Sequence, residues 1–189
     1  MTERLVPLQP SELSPEQAEV YDHIAGGTRA RGPRLFEMTD HEGRLNGPFN
    51  AMLLAPQLGD ALQGLGEKVR YTTSLSDRVR ELAILAVATH WESAFERYAH
   101  EAVGRAAGLT EEEIMALRDL PSLQPADPRE AAALDLTRSL LAEADVDDDA
   151  WAAARAVLTE TEIFELTVLV GYYATLALVM RVFRIGSPG

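Results

Sequence analysis

The feature that most constrains the fold is an apolar stretch from Leu166 to Met180, bounded by Glu165 and Arg181. It predicts a buried helix and not a membrane span, because it is shorter than the roughly 20 residues that cross a bilayer. Since it is apolar on nearly every side, we expect it at the centre of a helical bundle or in a subunit interface. A thin bundle offers such a helix too little cover, so the chain should self-associate.

Signals for helix starts recur along the rest of the chain. They include capping residues followed by proline and capping boxes, in which a Ser or Thr precedes a Glu by three positions. Few windows alternate with period two for long enough to resemble strands. The fold class is therefore predicted to be all-α. The predicted helices begin near Ser14, Asn50, Pro56, Ser76, Ala94, Thr110, Asp127, Asp147 and Thr159.

The length of 189 residues favours a single domain overall. Residues 26–48 are rich in glycine and proline and predict a long irregular segment that could shape or cover a pocket. We therefore divide the chain into an N-terminal helix with this irregular segment, residues 1–45, and a helical domain, residues 46–189.

Charge and the start of the chain limit the partners and the location. The net charge is −13, and no basic patch interrupts it, so neither nucleic acid nor an anionic membrane is an expected partner. The opening segment, MTERLVPLQP, lacks the apolar stretch of a secretory signal, so a cytoplasmic location is expected. The expected partners are a small-molecule substrate and further copies of the chain.

Glu96 and His100 are the residues with the clearest capacity for chemistry. At a spacing of four they lie on one face of a helix, which suits acid–base catalysis, although such a pair is also a common surface contact. Nucleotide-binding loops, dinucleotide fingerprints and nucleophile elbows are absent. No metal is expected, because His23, His41 and His90 have no paired ligand spacing.

Three segments of the chain form a pattern: RELAILAVA at 80–88, WESAFERYAH at 91–100 and GLTEEEI at 108–114. Together they resemble the carboxymuconolactone decarboxylase family, which includes the AhpD-like alkylhydroperoxidases. The resemblance implies an AhpD-like helical bundle that assembles as a trimer or hexamer. The peroxidase branch carries Cys-x-x-Cys-x-x-x-His with an acidic residue twelve positions before the first cysteine. Here Ser93 and Glu96 replace the cysteines, so thiol peroxidase chemistry is excluded.

The decarboxylase branch carries Glu four residues before His, together with an arginine at the position of Arg80. This resemblance implies a lyase or isomerase without a cofactor, acting on a small cyclic carboxylic acid or lactone. His100 would donate or accept the proton, with Glu96 orienting it and supporting its charge. Arg80 would hold the developing oxyanion. Glu81 would act as a second acid or base, or neutralise Arg80.

Three further residues are predicted to contact substrate. Ser93 could donate a hydrogen bond, although a helix cap is the alternative role. Trp91 and Tyr98 could line an aromatic pocket, although packing is the commoner role of such residues. For Arg80 and Glu81 the alternative is a helix-end ion pair at a subunit contact. For the whole chain, the alternative is a non-catalytic binding or assembly protein on a degenerate AhpD-like scaffold.

Overall fold

The computed structural model describes residues 4–27, 35–118 and 123–188. In these ranges the chain forms nine α-helices and no strand, and one isolated bridge joins Thr39 to Leu45. The helices are α1 Pro15–Ala25, α2 Pro48–Met52, α3 Pro56–Tyr71, α4 Asp77–His90, α5 Ala94–Ala106, α6 Glu111–Ala116, α7 Pro128–Glu143, α8 Asp148–Arg155 and α9 Glu160–Phe183. The predicted all-α class is confirmed.

The predicted helix starts agree with the structure because they depend on local hydrogen bonds. Ser76 accepts a bond from the backbone N–H of Val79, and capping boxes open α1, α6 and α9. Helix ends agree less closely: the sequence pattern predicts ends at Leu158 and Val69, whereas α8 ends at Arg155 and α3 continues to Tyr71. Two predicted irregular stretches lie partly outside the described ranges: residues 28–34 of the segment 26–48, and residues 121–122 of a connection that proline and polar residues predict over 121–128.

The helix at the centre of the bundle is α4. Its residues 81–88 are all buried, and it packs against α5, α7 and α9. Helix α3 packs against α1, α2 and α9, so it forms a second layer beside the core. This arrangement brings the C-terminal end of α3 and the middle of α5 and α9 to one region.

Helix α9 is buried along one side only, so it is not the centre of the described fold. Leu166, Leu169 and Tyr173 are buried, whereas Phe164 and Val182 are 68% and 57% exposed. By length and composition α9 could cross a membrane, but half of its most apolar window is buried in the bundle. The exposed side leaves the predicted subunit interface available. The trimer or hexamer and the cytoplasmic location stay predictions.

Glycine allows α2 and α3 to approach closely. A Cβ atom at Gly59 of α3 would lie 2.1 Å from the backbone oxygen of Met52 in α2. A Cβ atom at Gly64 of the same helix would meet no atom within 4 Å. The two glycines therefore differ in packing although they share one helix.

We expect opposite effects from alanine at these positions. Gly59→Ala should lower the free energy of unfolding by about 2 kcal/mol, because a backbone carbonyl cannot move without shifting α2. Gly64→Ala should raise it by up to about 1 kcal/mol, because alanine is the better helix former. Chemical denaturation of both variants measures the effect. Similar changes at the two positions would contradict the close approach.

Candidate active site

A histidine and a glutamate meet inside the bundle. Glu81 on α4 and His100 on α5 are both buried. The Nδ1 atom of His100 lies 2.6 Å from Oε2 of Glu81. A carboxylate can only accept a hydrogen bond, so the imidazole proton belongs on Nδ1. The Nε2 atom is then the nitrogen that can accept a proton.

Burial and mutual contact decide the charges of this pair. Burial lowers the pKa of His100, and the charge and hydrogen bond of Glu81 offset only part of that effect. Burial would raise the pKa of Glu81, but the interaction with His100 and the charges of Arg70 and Arg80 lower it overall. At neutral pH Glu81 is therefore a carboxylate and His100 a neutral imidazole.

Glu96 occupies the turn of α5 before His100 and has a different environment from Glu81. It is 2% exposed, and neither carboxyl oxygen has a hydrogen-bond partner among the described residues. Burial raises the pKa of Glu96 to about 8, and the nearby Ser93 hydroxyl offsets this only in part, without forming a hydrogen bond of normal geometry. At neutral pH Glu96 is therefore a protonated acid. Ser93 stands at the N-cap of α5 but makes no capping hydrogen bond.

The structure changes the expected roles of the two glutamates. The spacing within α5 predicts that Glu96 orients His100 and supports its charge. In the structure Glu81 makes that hydrogen bond, because α4 runs alongside α5 and presents its carboxylate to the ring. Glu96 is left unpaired and protonated, as a group that can give a proton away.

Arg70 joins the cluster formed by Glu81, Glu96 and His100, although no sequence motif predicts this. Arg70, near the end of α3, has a side chain only 17% exposed. Its Nη1 atom lies 3.5 and 3.4 Å from Nδ1 and Nε2 of His100 and 3.4 Å from the Tyr173 hydroxyl oxygen. Its Nη2 atom lies 3.8 Å from Oε1 of Glu81. The Tyr173 ring packs edge-on against His100, with ring centroids 5.1 Å apart.

Helical periodicity is the signal that points to Arg70. The buried residues Gln63 and Gly66 precede it by seven and four positions on α3. Residues at these spacings share one helix face, so Arg70 belongs to the face that packs inward. An arginine on a buried face needs polar partners. Its separation along the chain from Glu81 and His100 does not reveal that they are those partners.

Arg80 does not join the cluster. Its guanidinium donates to the backbone carbonyl of Leu75 and to the carboxylate of Asp77, at the beginning of α4. It acts on Glu81 through its charge. Arg70, not Arg80, is therefore the cation that touches His100.

The predicted aromatic pair lies elsewhere. The ring of Trp91 packs edge-on against His90, with centroids 5.2 Å apart. Tyr98 is 38% exposed, and its ring packs on Phe95, with centroids 6.2 Å apart. The Tyr98 hydroxyl accepts a hydrogen bond from the backbone N–H of Glu37. Neither residue lines the cavity that adjoins Glu96 and His100.

A cavity of about 50 Å³ adjoins the cluster. One water molecule needs about 10–15 Å³ by this measure, so the cavity has room for several waters or for part of a small ligand. Tyr71, which is 45% exposed, lines it and marks where it approaches the surface. Among the described residues no three His, Asp or Glu side chains converge to hold a metal ion. The polar lining consists of Arg70, Glu96, His100 and Tyr173, and aromatic walls come from Phe36, Phe49, Tyr71, Phe95 and Tyr172.

Comparison with known proteins agrees with this fold. Residues 56–139 match the carboxymuconolactone decarboxylase family. No curated protein matches the chain. Among solved structures the chain is similar to ATU0492 of Agrobacterium tumefaciens, a protein of unknown function described as an AhpD antioxidant defence protein. The two are 25% identical with a TM-score of 0.67, over 74% of this chain and 97% of that one.

Two further structures show the same fold at lower identity. An AhpD-core, peroxidase-related protein from Ralstonia eutropha JMP134 is 13% identical, with a TM-score of 0.79 over 98% of this chain and 92% of that one. The debrominase Bmp8, solved with 2,3,4-tribromopyrrole, is 14% identical, with a TM-score of 0.75 over 100% of this chain and 94% of that one. The predicted AhpD-like architecture is confirmed. Thiol chemistry does not carry over, because this chain has no cysteine.

The buried acid predicts a pH-dependent gain in stability for Glu96→Gln. Between its ordinary pKa of 4.5 and about 8, Glu96 is ionised in the unfolded chain and protonated in the folded one. The free energy of unfolding of the wild type therefore falls by about 1.4 kcal/mol per pH unit, because of this group, as the pH rises across that window. Glutamine cannot ionise, so the free energy of unfolding of the variant should increase relative to that of the wild type from pH 5 to 8.

Urea denaturation at several pH values measures this difference. Glu112→Gln, on the exposed surface of α6, serves as the matched control for removing one carboxylate. A difference between Glu96→Gln and wild type that stays constant from pH 5 to 8 would show that Glu96 is not a protonated buried acid.

Proposed function

We propose that the chain, whose residues 56–139 match the carboxymuconolactone decarboxylase family, is a lyase or isomerase of that family and works by acid–base chemistry without a cofactor. Its substrate is a small cyclic carboxylic acid or lactone. The observation that carries the proposal is that a neutral imidazole, His100, and a protonated carboxyl, Glu96, line the same small cavity. One group accepts a proton and the other donates one.

In an isomerisation the two groups act in turn. The Nε2 atom of His100 removes a proton from the carbon next to a carbonyl group, and the C–H electron pair passes into an enolate. Glu96 then delivers its proton to a different carbon of the conjugated system, and the imidazolium returns its proton to Glu96 directly or through water. The Glu81 carboxylate stabilises the imidazolium while it exists.

In a decarboxylation the proton donor alone is essential. The bond between the carboxylate carbon and the ring breaks, carbon dioxide leaves, and the electron pair of that bond becomes an enolate or dienolate. Glu96 protonates the ring carbon, and water restores the proton to Glu96. A pKa near 8 suits this role, because the acid is loaded at neutral pH yet gives up its proton more readily than water does.

Aromatic walls support this chemistry by restricting water. Rings from Phe49 and Phe95 border the cavity beside Glu96 and His100. Low solvent content strengthens the interactions of charges that develop during reaction. It also keeps Glu96 protonated, since the carboxyl is neutral only because it is poorly solvated.

Substitution of the two central residues tests the proposal. The assay is a panel of small cyclic unsaturated acids and lactones, followed by ultraviolet absorbance and carbon dioxide release. Glu96→Gln should lower kcat by about 10²–10⁴-fold in either reaction, and His100→Ala should do so in an isomerisation. His90→Ala, an exposed histidine at the end of α4, is the matched control and should keep full activity. Turnover that survives both substitutions in folded protein would remove the proposed site. Binding of panel compounds without turnover would favour the non-catalytic alternative.

The pH dependence of the reaction provides a second test. The value of kcat/KM should fall above about pH 8 as Glu96 loses its proton. The acidic limb should lie below the ordinary pKa of 6.5, because burial lowers the pKa of His100. Initial rates from pH 5 to 10 on the best panel compound measure both limbs. A rate that keeps rising beyond pH 9 would contradict the role of Glu96 as the acid.

A further inference from the structure

Arg70 is a buried cation whose hydrogen bonds are incomplete. Its Nε atom is buried and has no partner among the described residues. Its closest polar contacts, to His100 and Tyr173, are 3.4 Å long, at the outer limit of a hydrogen bond. A guanidinium carries five N–H donors, and leaving buried donors unsatisfied costs free energy. The described residues therefore supply Arg70 with fewer and weaker acceptors than its donors require.

The nearest carboxylate does not meet this need. Oε1 of Glu81 lies 3.8 Å from Nη2 of Arg70, within reach of the charge but beyond hydrogen-bond distance. The other oxygen of Glu81 is engaged with His100 at 2.6 Å. Glu96 is protonated and lends no charge. A carboxylate from outside the chain would provide the missing hydrogen-bond acceptors for Arg70, because its two oxygens match two parallel N–H donors of a guanidinium.

The Tyr173 hydroxyl supplies a further donor at the same place. Its oxygen accepts from Nη1 of Arg70, and burial raises the pKa of Tyr173, so the hydroxyl keeps its proton. That proton can be donated to an acceptor beside the guanidinium. Arg70 and Tyr173 thus present a positive charge and a neutral donor to the same side of the cavity.

The walls set the shape of the rest of the ligand. Phe36, Phe49 and Phe95 line the cavity, and the rings of Phe36 and Phe95 meet edge to face at 6.3 Å between centroids. Aromatic walls favour a flat apolar body, and an enclosed volume of about 50 Å³ leaves no room for more than part of a single ring. A second carboxylate on such a ring would face these apolar walls, in a chain of net charge −13.

We propose that Arg70 is the anion-recognition residue of this site and that the site takes a planar, single-ring monocarboxylate, held at its carboxylate by Arg70 and Tyr173. This inference rests on the proposed acid–base site and narrows its substrate class from cyclic acids or lactones to acids with one ionised carboxylate. The ring lies against the aromatic walls, which brings its carbon atoms towards Glu96 and His100. Neutral lactones lack the group that Arg70 requires.

Benzoate tests the proposal without turnover, since it has the required shape and charge and does not react. Isothermal titration calorimetry on the full chain compares benzoate with its neutral analogue benzamide, and 4-methylbenzoate with the dianion terephthalate, which adds a carboxylate at the same position. We expect benzoate and 4-methylbenzoate to bind. Benzamide and terephthalate should bind at least about tenfold more weakly.

Two arginines that are equally buried provide the matched variants. The side chains of Arg70 and Arg80 are 17% and 15% exposed, but only Arg70 lines the cavity. Arg70→Gln should weaken benzoate binding by about tenfold or more. Arg70→Lys should bind with intermediate affinity, because lysine keeps the positive charge but lacks the two parallel N–H donors of a guanidinium. Arg80→Gln should bind benzoate as the wild type does. Circular dichroism establishes that each variant is folded.

The outcomes separate this proposal from the acid–base function. Benzoate binding that Arg70→Gln leaves unchanged, or equal affinity for benzamide, overturns the role of Arg70 even if panel acids turn over. Benzoate binding that depends on Arg70 supports the role even if no acid in the panel reacts. Absence of benzoate binding to folded wild-type protein also overturns it. If Arg70→Gln fails to fold, Arg70→Lys and the comparison of benzoate with benzamide decide the question.

Discussion

The hydrogen bond between Glu81 and His100 is the contact on which the candidate site depends. Each group would be costly to bury alone, because a charged carboxylate and a polar imidazole both lose water inside the bundle. At 2.6 Å each satisfies the other. The bond also joins the central helix α4 to α5 and fixes the orientation of the ring. The position of Nε2 in the cavity is therefore a property of helix packing and not of a flexible side chain.

The contrast between Glu81 and Glu96 shows how one fold gives two carboxyl groups different chemistry. Both are buried, on neighbouring helices. Glu81 has His100 and Arg70 beside it, and its pKa falls. Glu96 has no hydrogen-bond partner in the described part of the chain, and its pKa rises to about 8. The difference follows from the partners, since burial acts in the same direction on both. A carboxylate that orients a base and an acid that carries a proton are thus placed around one imidazole, a division that suits proton transfer.

The elements of the fold were predictable where local interactions decide them. The capping boxes at Thr110 and Thr159 and the cap at Ser76 lie at the predicted helix starts, because a cap bonds to backbone groups two or three residues away. The family segments likewise lie within contiguous sequence. The position of α9 was less predictable: its composition indicates burial on all sides, whereas the bundle covers one side. Hydrophobicity shows that a face needs cover but not which helix provides it.

The sequence by itself determined the all-α class, the helix starts, the exclusion of thiol chemistry and the pairing of Glu96 with His100 on one helix. These follow from spacing within a helix and from the residue types present. Only the tertiary structure decided that Glu81, and not Glu96, makes the hydrogen bond to His100 and that Arg70, and not Arg80, contacts it. Both depend on which helices lie side by side, and separation along the chain carries little information about contacts between α3, α4 and α5. For that reason the charges of the site were also beyond sequence reasoning, since each pKa depends on neighbours that packing alone supplies.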